Sequence, residues 1–333
     1  MTLLALVGVL LVGAVAAGVA TVYREFYSPT AFVERYLSLL GEGHAADALA
    51  LPGVSVDSAQ LEAAGLPVPA SDALLRQAAL APLTDVVAVS EVAESDVTRV
   101  TVSYRAGGYP GTTTFDIEHS GWVGVVPSWR FAHSPLTVLD VTVRGSMRFS
   151  VNEFEVDKRQ VSPDGVDAAP LDPTPLLVFT PGVYRVAVDT PISVTEGLDV
   201  LADEALAEVP LDLQAEPTEE FVAIVQTRVE EFLTTCATQR VLQPTACPFG
   251  YFVADRIDGL PTWTIAKQPK IGVEPDGANW RIPTAEAVAH IEVDVVSLFD
   301  GSIEHVSENV RFDVDGAITV LPDGTASIRI GGQ

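Results

Sequence analysis

The chain has 333 residues, 48% of them hydrophobic and 19% charged, with 45 acidic against 19 basic side chains and a net charge of −26. Such a length accommodates two or three domains with cores of their own, and the composition excludes global disorder. Acids outnumber bases throughout, 13 to 7 over residues 30–150, 12 to 3 over 151–210 and 19 to 8 over 211–333, so no basic face is available for nucleic acid or anionic head groups.

The first predicted element is an uncharged run of 20 residues, Leu3 to Val22. As a helix it would span about 30 Å, the thickness of a bilayer's hydrocarbon core. With Tyr23, Phe26 and Tyr27 following as an interfacial belt, residues 1–27 read as a transmembrane anchor. Gly13 with Ala17 and Ala14 with Gly18 hold the spacing that permits close helix pairing, although small residues are common in such helices. A cleaved signal peptide is the competing reading. Ala16-Ala17 and Val19-Ala20 offer small-residue sites for it, but no positive segment precedes the apolar run. Arg24 lies beyond the span while Met1 and Thr2 carry no cationic side chain, which by the positive-inside rule points to a cytoplasmic remainder. The cysteines, reached below, point the other way.

Residues 28–135 form the first soluble unit. Ser28-Pro29 supplies a cap and a first-turn proline, and Phe32, Val33, Tyr36, Leu37 and Leu40 recur at helical spacing up to Gly41 and Gly43. A short helix over His44–Leu51 and another over 71–81 follow, the latter with Leu74, Leu75, Ala78 and Ala79 on one face. After Pro82 the period becomes two, which predicts strands at Val86–Ala93, Val97–Arg105, Thr112–Glu118 and Trp129–Ala132. Residues 136–210 read as a small all-β module, with strands at Leu136–Val143, Met147–Val151, Leu176–Phe179 and Tyr184–Val188 around an Asp/Pro-rich loop from Ser162 to Pro175.

Residues 211–333 return to helix and then sheet. Pro217 to Glu220 open a helix whose stripe is Phe221, Val225, Val229, Phe232 and Leu233, with acids in its first turn to favour the dipole. Strands are expected at Trp263–Ala266, Lys270–Val273, Asn279–Ile282, Ala287–Leu298, Ser307–Val314, Ala317–Leu321 and Thr325–Ile330. Asp300-Gly301, Asp315-Gly316 and Pro322-Asp323-Gly324 are the expected turns.

Cys236 and Cys247 enclose ten residues. A disulfide here would close a short loop, worth about 3 kcal/mol in the chain-entropy model, and would require an oxidising compartment. Free thiols are the alternative. A metal site is disfavoured, since no second thiol pair or histidine cluster accompanies them. His44, His119, His133, His290 and His305 are scattered, and His119 should point away from Asp116 and Glu118 on its strand. No nucleophile elbow, phosphate loop or dinucleotide fingerprint is present, so neither a cofactor nor a catalytic residue is predicted. Asp313 and Asp315 before Gly316 superficially suggest a calcium loop, but the following acidic ligands are missing and a hairpin is expected. Trp122, Trp129, Trp263 and Trp280 stand near strand ends as possible cavity or rim residues, core positions before ligand platforms.

Three stretches carry a resemblance: Pro29 with FVERYLSLLGEGHAADAL (32–49), CATQRVLQPTACPFG (236–250), and the pairing of VNEFEV (151–156) with FTPGVYRV (179–186). Together the chain resembles actinobacterial membrane-anchored envelope proteins with tandem NTF2-like domains. An N-terminal span before tandem domains of that kind is also similar to the inner-membrane scaffolds of conjugation and type IV secretion machines. The resemblance implies an α+β fold: an N-terminal transmembrane helix, then two NTF2-like domains, helices packed on a curved antiparallel sheet, flanking the β module. It implies a non-enzymatic, single-pass membrane protein whose extracytoplasmic region contacts other envelope proteins or itself. Alternatives are a binding protein that holds a small apolar or cell-wall ligand in an NTF2-like cavity, and a hydrolase or isomerase of that fold, although the acid/base dyads of the enzymatic relatives have no counterpart here.

Overall fold

Ser28 opens α1 (Pro29–Gly41): its Oγ accepts from the Ala31 amide at 3.1 Å and proline occupies the first helical turn. The computed structural model describes residues 26–124 and 126–331. The transmembrane anchor expected over residues 1–27 lies, apart from Phe26 and Tyr27, outside the described residues. Among the described residues no helix is long and apolar enough to cross a membrane.

Two short helices follow, α2 (Ala45–Leu49) and α3 (Ser58–Ala63), the second opened by a capping box between Asp57 and Gln60. Four antiparallel strands then form one sheet in sequence order: β1 (Leu83–Glu94), β2 (Val97–Ala106), β3 (Tyr109–Val123) and β4 (Val126–Phe131). Their alternating residues Val100, Val102, Tyr104, Phe115, Ile117 and Phe131 are buried against Val33, Tyr36, Leu37 and Leu40 of α1. Tyr36 meets Phe131 and Phe115 edge-on, with centroids 5.1 and 6.1 Å away. The space between helix and sheet is thus filled by aromatic side chains.

The middle region supplies β5 (Leu136–Arg144), β6 (Arg148–Val151), β7 (Phe154–Asp157), the single-turn α4 (Lys158–Val161), β8 (Thr174–Phe179), β9 (Gly182–Ala187), β10 (Ser193–Val194), β11 (Leu198–Ala202), β12 (Glu208–Gln214) and β13 (Glu216–Pro217). They form a three-stranded sheet ordered β12-β5-β8, a four-stranded sheet ordered β11-β9-β6-β7, and the short pair β10-β13. β5 is buried on both faces. Leu136 and Val138 join the core beneath α1, while Leu139, Val141 and Val143 join a second core with Phe149, Tyr184 and Val186. Residues 136–139 are all buried, and from there LTVLDVTVR alternates apolar with polar side chains; β12 pairs with this strand in parallel.

The C-terminal region holds α5 (Glu219–Ala237), β14 (Arg256–Lys267), β15 (Glu274–Asp276), β16 (Asn279–Val296), β17 (Ile303–Val320) and β18 (Ala326–Gly331). Thr218 caps α5 by accepting from the Phe221 amide. Phe221, Val225, Val229, Leu233 and Cys236 lie on one face of α5 and pack onto the antiparallel sheet ordered β14-β16-β17-β18, whose buried members include Trp263, Trp280 and Ile291.

Among the described residues strand accounts for 48% and helix for 18%. The fold is therefore mostly β, and the expected α+β pair of NTF2-like domains is not what the chain forms. Several local outcomes produce this. The helix expected over 71–81 yields one 3-10 turn, Gln77–Ala79. Ser71 instead pairs with β8, its amide donating to the Pro175 carbonyl at 2.9 Å and its carbonyl accepting from Leu177 at 2.8 Å. Leu74 and Ala79 are drawn into the second core. The expected strand at Lys270–Val273 is absent because the Gln226 side chain on α5 binds the Pro269 carbonyl and the Ile271 amide. The two strands expected at 279–282 and 287–298 are one long β16, and those at 307–314 and 317–321 are one long β17. Asp315-Gly316 is therefore neither hairpin turn nor calcium loop. Gly316 lies within β17 between Ile282 and Ile330, where an added Cβ would fall 2.6 Å from the Arg329 carbonyl oxygen. The glycine answers to close backbone approach.

Candidate functional site

A cleft of about 510 Å³ opens between β3 and the loop 203–206. Its floor is built by the alternation of β3, which turns Thr113 and Phe115 inward. The Thr113 hydroxyl donates to the Asp203 carbonyl at 2.8 Å and lies 3.1 Å from the Tyr104 hydroxyl. Burial is the main cause that pushes the Tyr104 hydroxyl up from its ordinary value. Asp116 sits at the rim with the Arg99 Nε at 3.3 Å and the His133 Nδ1 at 3.8 Å. Hydroxyls and acids share the lining with His133 and the apolar Phe115 and Leu206, and among the described residues no lining hydroxyl is held against a base. Among the described residues no group of three or more His, Cys, Asp or Glu is arranged to hold a metal ion. What the cleft can offer is hydrogen bonding to a polar group.

The four tryptophans divide two and two. Trp263 and Trp280 are buried in the C-terminal core. Trp263 packs on Phe249, its centroid 4.9 Å away, and donates to the Val241 carbonyl at 2.8 Å; Trp280 packs on Phe221 at 5.2 Å. Trp129 is half-buried on β4 and its Nε1 donates to the Tyr27 carbonyl at 2.9 Å. Trp122, near the end of β3, is 67% exposed. His119 joins the last two, its ring 5.3 Å from Trp122 and 5.5 Å from Trp129. It is directed away from Asp116, as period-two alternation requires. Polar flanks set Trp122 apart, which stands between Gly121 and Val123, but they do not single out the buried pair: Trp263 lies between Thr262 and Thr264 and Trp280 between Asn279 and Arg281, and half-buried Trp129 likewise lies between Ser128 and Arg130.

Cys236 and Cys247 form a disulfide, with Cα atoms 5.8 Å apart. It joins the last turn of α5 to a loop that Gln239 also holds, accepting from the Thr245 amide at 2.8 Å. The bond to Val241 from Trp263 anchors the same loop to the sheet. Sequence reasoning did not find the cleft, because loop 203–206 and β3 are about 90 residues apart in the chain and no motif marks their meeting.

No family model, curated protein or solved structure matches the chain.

Proposed function

We propose that this is a non-enzymatic, single-pass membrane protein whose body lies outside the cytoplasm and serves as an interaction scaffold in a bacterial cell envelope. The observation that carries the reading is the Cys236–Cys247 disulfide, a bond that persists in oxidising compartments. The apolar run Leu3 to Val22 supports the membrane attachment. Contact with other proteins is supported by side chains that stand out of the surface: Val87, Val89 and Val92 on the edge strand β1, and Phe252, Phe299 and Ile303 in the C-terminal region. An edge strand with free backbone groups is a pairing template for another chain. The net charge of −26 argues against nucleic acid as the partner.

Protease added to intact cells should degrade the body, and a membrane-impermeant maleimide should label both cysteines only after reduction. A protected region 211–333 with reduced thiols overturns the placement. Crosslinking in the same cells should yield adducts above monomer mass; lone monomers count against the scaffold.

A further inference from the structure

We infer that the tip of the β3–β4 hairpin, led by Trp122 and Val123, docks into the interface of the lipid bilayer beside the point where the chain leaves it. This rests on the membrane attachment proposed above and adds a second, non-covalent contact to it.

The geometry starts at Tyr27. The hydrogen bond from Trp129 to its carbonyl fixes β4 against the chain only five residues after Val22, where the apolar run ends. Even fully extended, five residues reach about 17 Å. Two contacts set the direction of the hairpin. Phe131 packs on Phe32, centroids 5.1 Å apart, while Trp129 meets Tyr27, so β4 and the start of α1 run side by side toward the body. The opposite end of β4, and with it the hairpin tip, therefore points to the side from which residue 26 arrives. Trp122 pairs with Pro127 in the register, about 7 Å beyond the Trp129 position along the strands.

The chemistry of the tip fits a bilayer interface. Trp122 is 67% and Val123 74% exposed, and Phe26 nearby is 65% exposed. Residues 120–129 carry no charge in a chain of −26, and the flanking Glu118 and Arg130 pair with each other. Indole rings favour the head-group layer, where an apolar body and a polar N–H are both satisfied. Acidic surroundings rule out attraction to anionic lipid, so the contact is apolar and insensitive to salt.

The test uses the full chain reconstituted in phosphatidylcholine vesicles with ordinary or brominated acyl chains. Trp263 and Trp280 are buried and provide an unquenched baseline. Brominated lipid should quench part of the wild-type emission, and most of that quenched part should disappear in Trp122→Phe. Val123→Asp, with an unchanged circular dichroism spectrum, should lower it as well. A chain that floats with the vesicles while Trp122 remains open to aqueous acrylamide and indifferent to bromine overturns the docking and leaves the attachment standing. Failure to float overturns both. Protection of Trp122 that fades as the protein is diluted in lipid, without bromine quenching, assigns the tip to a second copy and also overturns the inference.

Discussion

Asp157 shows how much one side chain can hold together. It caps α4 by accepting from the Arg159 amide at 3.0 Å, and its carboxylate also faces the guanidinium groups of Arg159 at 2.6 Å and Arg148 at 3.5 Å. The Arg159 hydrogen bond is the main reason its carboxyl is held below the usual carboxylate range, against an opposing contribution from burial. A carboxyl whose pKa is depressed on folding contributes stability that is present above its unfolded value and is lost as pH falls through the folded one. Asp157→Asn should therefore unfold more easily than wild type by about 1–2 kcal/mol at neutral pH. The gap should close as pH drops below about 4. Asp140 acts in the opposite sense, pushed up chiefly by burial, so the difference between variant and wild type in urea titrations at several pH values isolates Asp157. Nothing in the local sequence VDKRQV distinguishes this aspartate from its neighbours. Its partner Arg148 comes from the adjacent strand, and that pairing is a property of the register of β6 on β7.

At the scale of elements, the patterns that were legible in the sequence are those decided within a few residues. Ser28-Pro29 marks the start of α1 because cap and first turn are local, and period-two runs place β2 and β5 closely for the same reason. Asp57 with Gln60 also forms a local capping signal, which would have located α3. The segment 71–81 shows where local pattern fails: its helical periodicity is real, but pairing of Ser71 with β8, about a hundred residues on, outweighs it. Asp315-Gly316 shows the same in a strand. The dipeptide is good turn chemistry, yet the pairing of β17 with both β16 and β18 carries straight through it. Two glycines thus play different parts, and substitution separates them. Gly316→Ala should destabilise by about 1–3 kcal/mol, since its Cβ would press on the backbone of β18. Gly301→Ala, in the β16–β17 turn with φ +76° and open space around it, should lose only the left-handed penalty of about 1–2 kcal/mol. Gly301→Asn should recover most of that loss in urea melts, because asparagine tolerates the left-handed conformation, whereas Gly316→Asn should lose at least as much as Gly316→Ala.

For the whole molecule the decisive feature is where cores join and where they stop. Residues 28–215 contain two interlaced cores that share β5 and β8: Leu177 and Phe179 serve the core beneath α1, while Leu176 and Val178 serve the other, which reaches Leu211 and Ala215. Tyr36 strengthens the junction, its hydroxyl within 2.9 Å of the Thr180 carbonyl and 3.1 Å of the Pro135 carbonyl, and its pKa raised well above the ordinary value mainly by burial. The core around α5 is separate. Its links to the middle region include the β10-β13 pair, Thr218, whose amide donates to the Ile192 carbonyl at 3.1 Å and whose side chain donates to the Pro191 carbonyl at 2.8 Å, and the Ile192 side chain, which packs against this core. Interlaced cores should melt as one cooperative unit and the C-terminal core as another. The disulfide lies wholly inside the second unit, and closing its short loop is worth about 3 kcal/mol. Reduction should therefore lower one calorimetric transition and leave the other in place. Fluorescence supplies the assignment, because Trp263 and Trp280 report the C-terminal core while Trp129 reports the one beneath α1. Removing the Trp129 signal with Trp129→Phe should leave the reduction-sensitive emission change intact. A single transition that moves as a whole on reduction would mean that β10-β13 and Thr218 couple the two units more strongly than their few hydrogen bonds account for.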